Sequence, residues 1–167
     1  MLTFDFAKPD DLEAIVATYN STVAGRMVTA DLEPVSVESK IPWFQAHNQT
    51  TRPLWIIKEG DNYLGWLSFN SFYGRPAYNG CVEISIYLEE SARGKGVGKV
   101  SLEKAIAYAK EINVHTLLGF IFGHNEVSLK LFENYGFKVW ANFPEIANMD
   151  GVMRDLLILG LKVNHKN

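Results

Sequence analysis

Two hydrophobic periods take turns along the chain, and their order lays out its elements. Leu2, Phe4 and Phe6 alternate with polar neighbours, the period of a half-buried strand. Asp10 or Asp11, after Pro9, then opens a helix with the apolar stripe Leu12, Ile15, Val16 and Tyr19. From Asn20 to Pro34 no period is sustained; Met27-Val28-Thr29 sits among polar residues, and a loop of this length is often functional. Ser36 or Ser39 starts a second helix carrying Ile41, Trp43, Phe44 and His47, with Pro42 near its start where proline is tolerated. Pro53 precedes a strand over Leu54 to Lys58, Gly60-Asp61-Asn62 turns the chain, and Tyr63 to Phe72 returns, with Gly65 marking a bulge or a close-packing point.

The most informative stretch runs from Cys81 to Ile112. Val82, Ile84, Ile86 and Leu88 alternate with Glu83, Ser85 and Tyr87, a strand with one apolar face. Leu102, Ala105, Ile106 and Ala109 follow the i, i+3, i+4, i+7 spacing of an amphipathic helix. Between them lies Arg93-Gly94-Lys95-Gly96-Val97-Gly98, followed by Lys99. Alternate glycines let a backbone turn tightly and bring its N–H groups to a ligand, and the helix start that follows favours anions. The unit therefore reads as a pyrophosphate cradle or, without a ligand, a glycine-rich turn. It is not a Walker loop, because Val100 and Arg93 replace the required hydroxyl residue and first glycine. Nor is it a dinucleotide fingerprint, because Lys99 stands where the third glycine belongs.

Downstream, His115 to Phe122 is an apolar strand. Asn125 caps a helix with Val127, Leu131, Phe132 and Tyr135 on its apolar face, and Gly136 ends it. Phe137 to Trp140 restarts a strand, a long connection holds Pro144, and Asp155 to Leu161 is the last strand. The order is β-α-α-β-β-β-α-β-α-β-β, an α/β fold with a mixed sheet and helices on both faces. Residues 1–163 form a single domain and 164–167 a polar tail. At 167 residues, 47% hydrophobic and 21% charged, the chain can bury a real core. A net charge of −3 without a basic run argues against nucleic acid or an anionic membrane as partner. No apolar stretch reaches membrane-spanning length, no secretion signal is present, and one cysteine, Cys81, excludes an internal disulfide; a cytoplasmic location is expected. The four histidines make no metal-spaced pair, are read as structural or exposed, and no metal is expected.

The R-x-x-G-x-G loop resembles the acetyl-coenzyme A pyrophosphate loop of the GCN5-related N-acetyltransferase (GNAT) superfamily, and the element order matches that fold, a mostly antiparallel central sheet, over essentially the whole chain. The segment Asn125-Glu126-Val127 to Gly136-Phe137 is similar to the family's closing helix. The resemblance implies acetyl-CoA as co-substrate. It would lie along the backbone of Ile86, Tyr87 and Leu88, over the loop Arg93, Gly94, Lys95, Gly96, Val97, Gly98 and Lys99, with a contact from Asn125. Within the superfamily, Arg75, Tyr78, Val82-Glu83 and Ile86-Tyr87-Leu88 resemble the frame of phosphinothricin and methionine sulfoximine acetyltransferases, as does the early segment from Tyr19 to Val35. That implies a small amino-acid-like acceptor, bound near Arg75, Tyr78, Glu83 and Ser85, and a homodimer. The alternatives are a peptide or protein N-terminal acetyltransferase and a coenzyme-binding sensor without turnover.

Two departures stand out. Phe132 occupies a position where the family carries Tyr or His, so the general acid is unassigned unless water or Tyr135 serves. Gly151-Val152-Met153-Arg154-Asp155 replaces a G-x-W-H-D segment, which alters the acceptor pocket. For the chemistry itself, an amine must lose its proton before it attacks a thioester. Glu83 is the candidate general base, against the alternatives of a solvated carboxylate or a pair with Arg75. Arg75 is a candidate bidentate clamp for an acceptor anion, against a plain surface arginine.

Overall fold

Seven strands form one sheet in the order β1-β2-β3-β4-β5-β7-β6. The computed structural model describes residues 1–163; the polar tail at 164–167, with His165, lies outside them. The strands are β1 (Leu2–Phe6), β2 (Leu54–Glu59), β3 (Asn62–Ser71), β4 (Cys81–Leu88), β5 (Thr116–Phe122), β6 (Lys138–Met149) and β7 (Val152–Lys162). Every neighbouring pair is antiparallel except β4 and β5. The helices are α1 (Leu12–Ser21), α2 (Ile41–Gln45), α3 (Val97–Glu111) and α4 (Glu126–Asn134), so the expected element order is the observed one.

Strand alternation divides the core between two faces. Trp55, Ile57, Leu67, Phe69, Val82 and Ile84 pack with Leu102, Ala105 and Ala109 of α3 and Phe132 of α4. Leu54, Ile56 and Trp66 face the other way, against Ile15 of α1 and Trp43 and Phe44 of α2. Leu102 is fully buried, and truncating it to alanine would cost about 2–5 kcal/mol through lost transfer energy and the cavity left behind.

Gly65 is both a bulge and a close-packing point. Ile57 pairs with Gly65 but Lys58 with Tyr63, so Leu64 is the extra residue. At φ +152°, a Cβ on Gly65 would lie 2.2 Å from the Tyr87 carbonyl oxygen.

Two expected stretches differ. The helix expected after Ser36 is a 3-10 turn over Glu38–Lys40 followed by the five-residue α2. Its N-cap is Val37, and the preceding Ser36 bonds into the turn, its Oγ accepting from the Ser39 amide at 3.2 Å. The helix stops because the Asn48 side chain accepts from the amides of Thr50 and Thr51, a turn that competes with helical bonding. The long connection expected around Pro144 is instead part of β6. As the outer strand of the sheet, β6 tolerates a missing N–H, and its pairing shifts between Phe143 and Ala147, where Pro144 sits. It turns back at Asp150-Gly151, both at positive φ, the two-residue hairpin turn that matches strand twist.

Candidate active site

The strand β4 is paired on both sides only over its first half. Cys81, Val82 and Glu83 pair with Thr116, Leu117 and Leu118 of β5, and there the pairing ends. On its other side β4 stays paired with β3 as far as Leu88, while β5 follows β7 to its own end at Phe122. The sheet therefore forks after Glu83. Among the described residues, the β5-facing backbone edge of Ser85, Ile86, Tyr87 and Leu88 has no partner strand, an unusual state for buried amide groups and a ready template for a ligand with amides of its own. Ile86 and Leu88 turn their side chains into the α3 side of the core, while Tyr87 packs on the opposite face.

At the far end of the fork lies the glycine-rich loop. A 3-10 turn over Glu90–Ala92 leads to Arg93, and Gly94 and Gly96 adopt φ +72° and +79°. Gly96 is the N-cap of α3 and supplies no side-chain cap, so the first amides of this 15-residue helix lack an intrahelical acceptor. A Cβ on Gly94 or Gly96 would meet nothing within 4 Å, so both glycines border open space. Arg93, Lys95 and Lys99 are exposed and make no ion pair among the described residues. Val97 is buried and offers only its amide; at Gly98 a Cβ would sit 3.4 Å from Leu131, so this glycine lets α3 approach α4. Open glycines, free amides, a helix dipole and unpaired cations together fit a pyrophosphate.

Glu83 sits at the apex of the fork. It shares a face with Ser85 and Tyr87, opposite their cross-strand partners Asn70, Ser68 and Trp66. Its carboxylate has neither a hydrogen bond nor an ion pair among the described residues, so it does not pair with Arg75, and burial pushes its pKa above the usual carboxylate range. Asn70 organises the surroundings. Its Nδ2 donates to Ser68 Oγ and Ser85 Oγ, both at 3.1 Å, and its Oδ1 accepts from Trp43 Nε1 at 3.2 Å. His47 donates through Nδ1 to the Trp43 carbonyl at 2.8 Å, and burial lowers its pKa.

Beyond Ser85, between the sheet and the helices α1 and α2, lies a cavity of about 90 Å³. Its walls are the rings of Tyr19, Trp43, Trp66 and Tyr87, with Ser85 and Lys40 as polar groups. Trp66 stacks on Tyr87 at 4.7 Å, and Trp43 meets Trp66 edge-on at 5.3 Å. Tyr19 donates to Asp31 and is hydrogen-bonded to Thr29; burial, then the Asp31 contact, pushes its pKa up to about 12.

The segment expected to be a functional loop is pinned across this region. Asn20 closes its ends by bonding both the amide and the carbonyl of Val35, at 2.8 and 2.9 Å. His124 Nε2 donates to the Arg26 carbonyl at 2.9 Å, and Arg26 pairs with Asp150 of the β6–β7 turn at 2.7 Å. Asn125 caps α4 by accepting from Ser128, and its Nδ2 donates to the Met27 carbonyl at 3.4 Å. Its side chain thus holds the helix start to this loop and keeps one Nδ2 proton without a partner among the described residues.

The remaining predicted residues are placed as follows. Arg75 precedes a 3-10 turn over Pro76–Tyr78 and lines an open cleft with Tyr73 and Tyr78, apart from the aromatic cavity. Phe132 is a core residue, its ring seated over Gly119 and edge-on to Phe137 at 4.9 Å. Tyr135 donates to Glu103 of α3 at 2.6 Å. Among the described residues no cluster of three or more His, Cys, Asp or Glu is placed to hold a metal ion. The cavity residues Lys40, Trp43 and Trp66, the Tyr19–Thr29–Asp31 group and the Asn70 node went unassigned in the sequence reading. Two signals pointed to them: the unperiodic segment after Tyr19 holds Thr29 and Asp31, and Trp66, Ser68 and Asn70 alternate on β3 as Glu83, Ser85 and Tyr87 do on β4.

Comparison with known proteins agrees with this geometry. A family model described as "Acetyltransferase (GNAT) family" matches residues 6–137. YwnH of Bacillus subtilis (strain 168), whose name assigns it provisionally to phosphinothricin acetyltransferases, is 51% identical over 164 residues, covering 98% of this chain and 100% of that protein. The L-methionine sulfoximine/L-methionine sulfone acetyltransferase of Salmonella typhimurium (strain LT2) is 26% identical, covering 98% of this chain and 95% of that one. The solved structure of YncA from Salmonella typhimurium with its cofactor acetyl-CoA superposes with a TM-score of 0.91 at 25% identity, covering 100% of this chain and 96% of that one.

Proposed function

Because the chain belongs to the acetyltransferase (GNAT) family and is an N-acetyltransferase that moves acetyl from acetyl-CoA to the amino group of a small acceptor, we propose that Glu83 is its general base and that the acceptor is an α-amino acid of the phosphinothricin or methionine sulfoximine type. The observation that carries this reading is the position of Glu83: a partly buried, unpartnered carboxylate at the residue where β4 and β5 part. Acetyl-CoA supplies the activated thioester carbonyl. The loop Arg93–Gly96 and the first-turn residues Val97, Gly98 and Lys99 of α3 hold its pyrophosphate, and the open edge of Ile86–Leu88 holds its amide-bearing arm.

The acceptor arrives as an ammonium ion. Glu83 takes its proton, directly or through a water, and a base whose pKa is raised towards neutrality is better matched to that task than an ordinary carboxylate. Amides on the free edge of β4 are positioned to stabilise charge developing on the carbonyl oxygen. Arg75, with Tyr78 beside it, clamps the acceptor anion from the open cleft. Asn125 contacts the coenzyme through the Nδ2 proton that its bond to the Met27 carbonyl leaves free. Phe132 has no proton to give, so the leaving thiolate takes its proton from water.

The chain is also proposed to work as a cytoplasmic homodimer. No helix of the described residues is long and apolar enough to cross a membrane. Among the described residues the outer strand β6 lacks a neighbour on one side, and Trp140, Phe143 and Ile146 are 48%, 42% and 57% exposed, an apolar strip suited to a second copy.

Thiol release from acetyl-CoA tests the activity. Release with methionine sulfoximine, phosphinothricin or other free amino acids supports the reading. Release only with peptides would make the chain an N-terminal acetyltransferase, and binding without release a sensor.

A further inference from the structure

The loop read as the pyrophosphate cradle is exposed from Arg93 to Gly96, between the buried Ala92 and Val97. Its place is set where the chain leaves the sheet, at Glu89. The Glu89 amide donates to the Leu64 carbonyl at 2.8 Å, and the Glu89 carbonyl accepts from the Ala92 amide at 2.9 Å. Leu64 is the extra residue of the β3 bulge, and the last pair of β3 with β4 is Gly65 with Leu88. The bulge therefore supplies the acceptor that holds the end of β4.

The side chain of Glu89 is a further anchor, and it reaches a different element. It is next in the alternation of Glu83, Ser85 and Tyr87 and turns towards α1, where its Oε1 lies 2.9 Å from Thr18 Oγ1. Thr18 is fully buried. Its hydroxyl also lies 3.0 Å from the Ala14 carbonyl and 2.7 Å from the Tyr63 hydroxyl. A hydroxyl has one proton to give. The Ala14 carbonyl already serves an amide of its own helix, whereas Glu89 makes no ion pair among the described residues. The Thr18 proton therefore goes to the carboxylate, and Tyr63 donates to Thr18 in turn. Burial pushes the Tyr63 pKa up to about 12, so this donor keeps its proton at neutral pH. A charge-assisted bond from a donor shielded from water is strong and fixed in direction.

We propose that Glu89 is a positioning residue for the coenzyme: its bond to Thr18 fixes the stem of the glycine-rich loop, and with it the direction in which the loop and the first turn of α3 face the pyrophosphate. The inference rests on the reading of that loop as a cradle.

Calorimetry with two ligands tests it: acetyl-CoA, and S-acetylpantetheine, which has the thioester and the amide-bearing arm but no pyrophosphate. Glu89→Ala and Thr18→Val should each weaken acetyl-CoA about tenfold, the cost of ordering one freed residue on binding. S-acetylpantetheine should bind both variants as it binds wild type. Glu89→Gln keeps an accepting oxygen and Thr18→Ser keeps the hydroxyl, so both should bind acetyl-CoA nearly as wild type does. Glu89→Ala combined with Thr18→Val should be no weaker than either alone, because the two remove the same bond.

Unchanged acetyl-CoA affinity in Glu89→Ala overturns the proposal. So does equal weakening of the two ligands, the mark of a general loss of structure, and so does a Glu89→Gln as weak as Glu89→Ala. Wild type that binds both ligands equally overturns the cradle reading itself. Wild type that prefers acetyl-CoA, with the preference intact in Glu89→Ala, overturns the role of Glu89 alone.

Discussion

Glu83→Gln should make the protein slower and more stable at once. The substitution keeps the shape of the side chain and removes the proton acceptor. If the general base term is at the low end of its usual range, kcat at neutral pH falls roughly a hundredfold. Stability should move the other way. Burial holds the Glu83 pKa above its ordinary value, so the folded chain binds that proton more tightly than the unfolded chain does. Between the ordinary value and the raised one the native state carries the extra proton, and wild type loses stability as pH rises through that window. Glutamine contributes no such loss. The carboxylate is partly buried and unpaired, so removing its charge should gain about 1 kcal/mol at pH 7, the low end of the cost of an unsatisfied buried group. For a chain of 167 residues that is about 2–4 °C in Tm. The gap should close as pH falls below the ordinary carboxyl range, where wild type is neutral too. The assay pairs thermal melts across pH with kcat/KM profiles. In the variant the rise tied to the carboxylate should vanish, and high pH should restore much of the lost rate because free amine is then abundant. Full activity of Glu83→Gln at neutral pH would refute the assignment, and a water relayed by Tyr78 or Ser85 would replace it. A variant less stable than wild type at pH 7 would refute the desolvation argument.

Arg75→Ala should raise KM for an amino-acid acceptor and leave coenzyme affinity alone, the signature of a lost uniform binding contact, and Arg75→Lys should rescue poorly because an ammonium lacks the planar fork. Steady-state kinetics decide this; unchanged KM in both variants would move the clamp to Arg154 or Lys130. Gly65→Ala should destabilise the domain by roughly 3 kcal/mol, the upper end of ordinary overpacking costs, because the new Cβ would lie 2.2 Å from the Tyr87 carbonyl oxygen. Denaturant melts measure it, and a loss under 1 kcal/mol would show that the bulge yields freely.

How much of this was legible in the chain depends on whether the pattern was local. Alternation through Val82 to Leu88 placed Glu83, Ser85 and Tyr87 on one face, and the glycine-rich loop lies between strand and helix as its glycines indicated, though only to Gly96: Val97 and Gly98 already belong to the first turn of α3. Gly65 was readable because only a bulge or a close approach explains glycine in a strand interior. Pro144 misled, since proline argues against a strand unless the strand is at an edge, and edge position is a property of the whole sheet. The fork after Glu83 has no signal of its own; β4 and β5 both continue as good strands, and only their partners diverge. The aromatic cavity was hidden for the same reason. Tyr19, Lys40, Trp66 and Tyr87 come from four separate segments and meet only once α1 and α2 close over the sheet. Asn125 was open to two readings, helix cap or coenzyme contact, and its cap is plain in the bond it accepts from Ser128.

The account depends most on the loop being a pyrophosphate cradle, and calorimetry with acetyl-CoA on wild type, Gly96→Asp and Gly96→Asn tests that directly. Both substitutions place a side chain in the same open space at φ +79°, and both residues tolerate that backbone better than most, so they share whatever strain there is. Only aspartate adds a negative charge beside the free amides at the start of α3. Binding to wild type, weakened in Gly96→Asn and abolished in Gly96→Asp, is the predicted result. Equal affinity in all three would contradict it and make the loop a turn and nothing more.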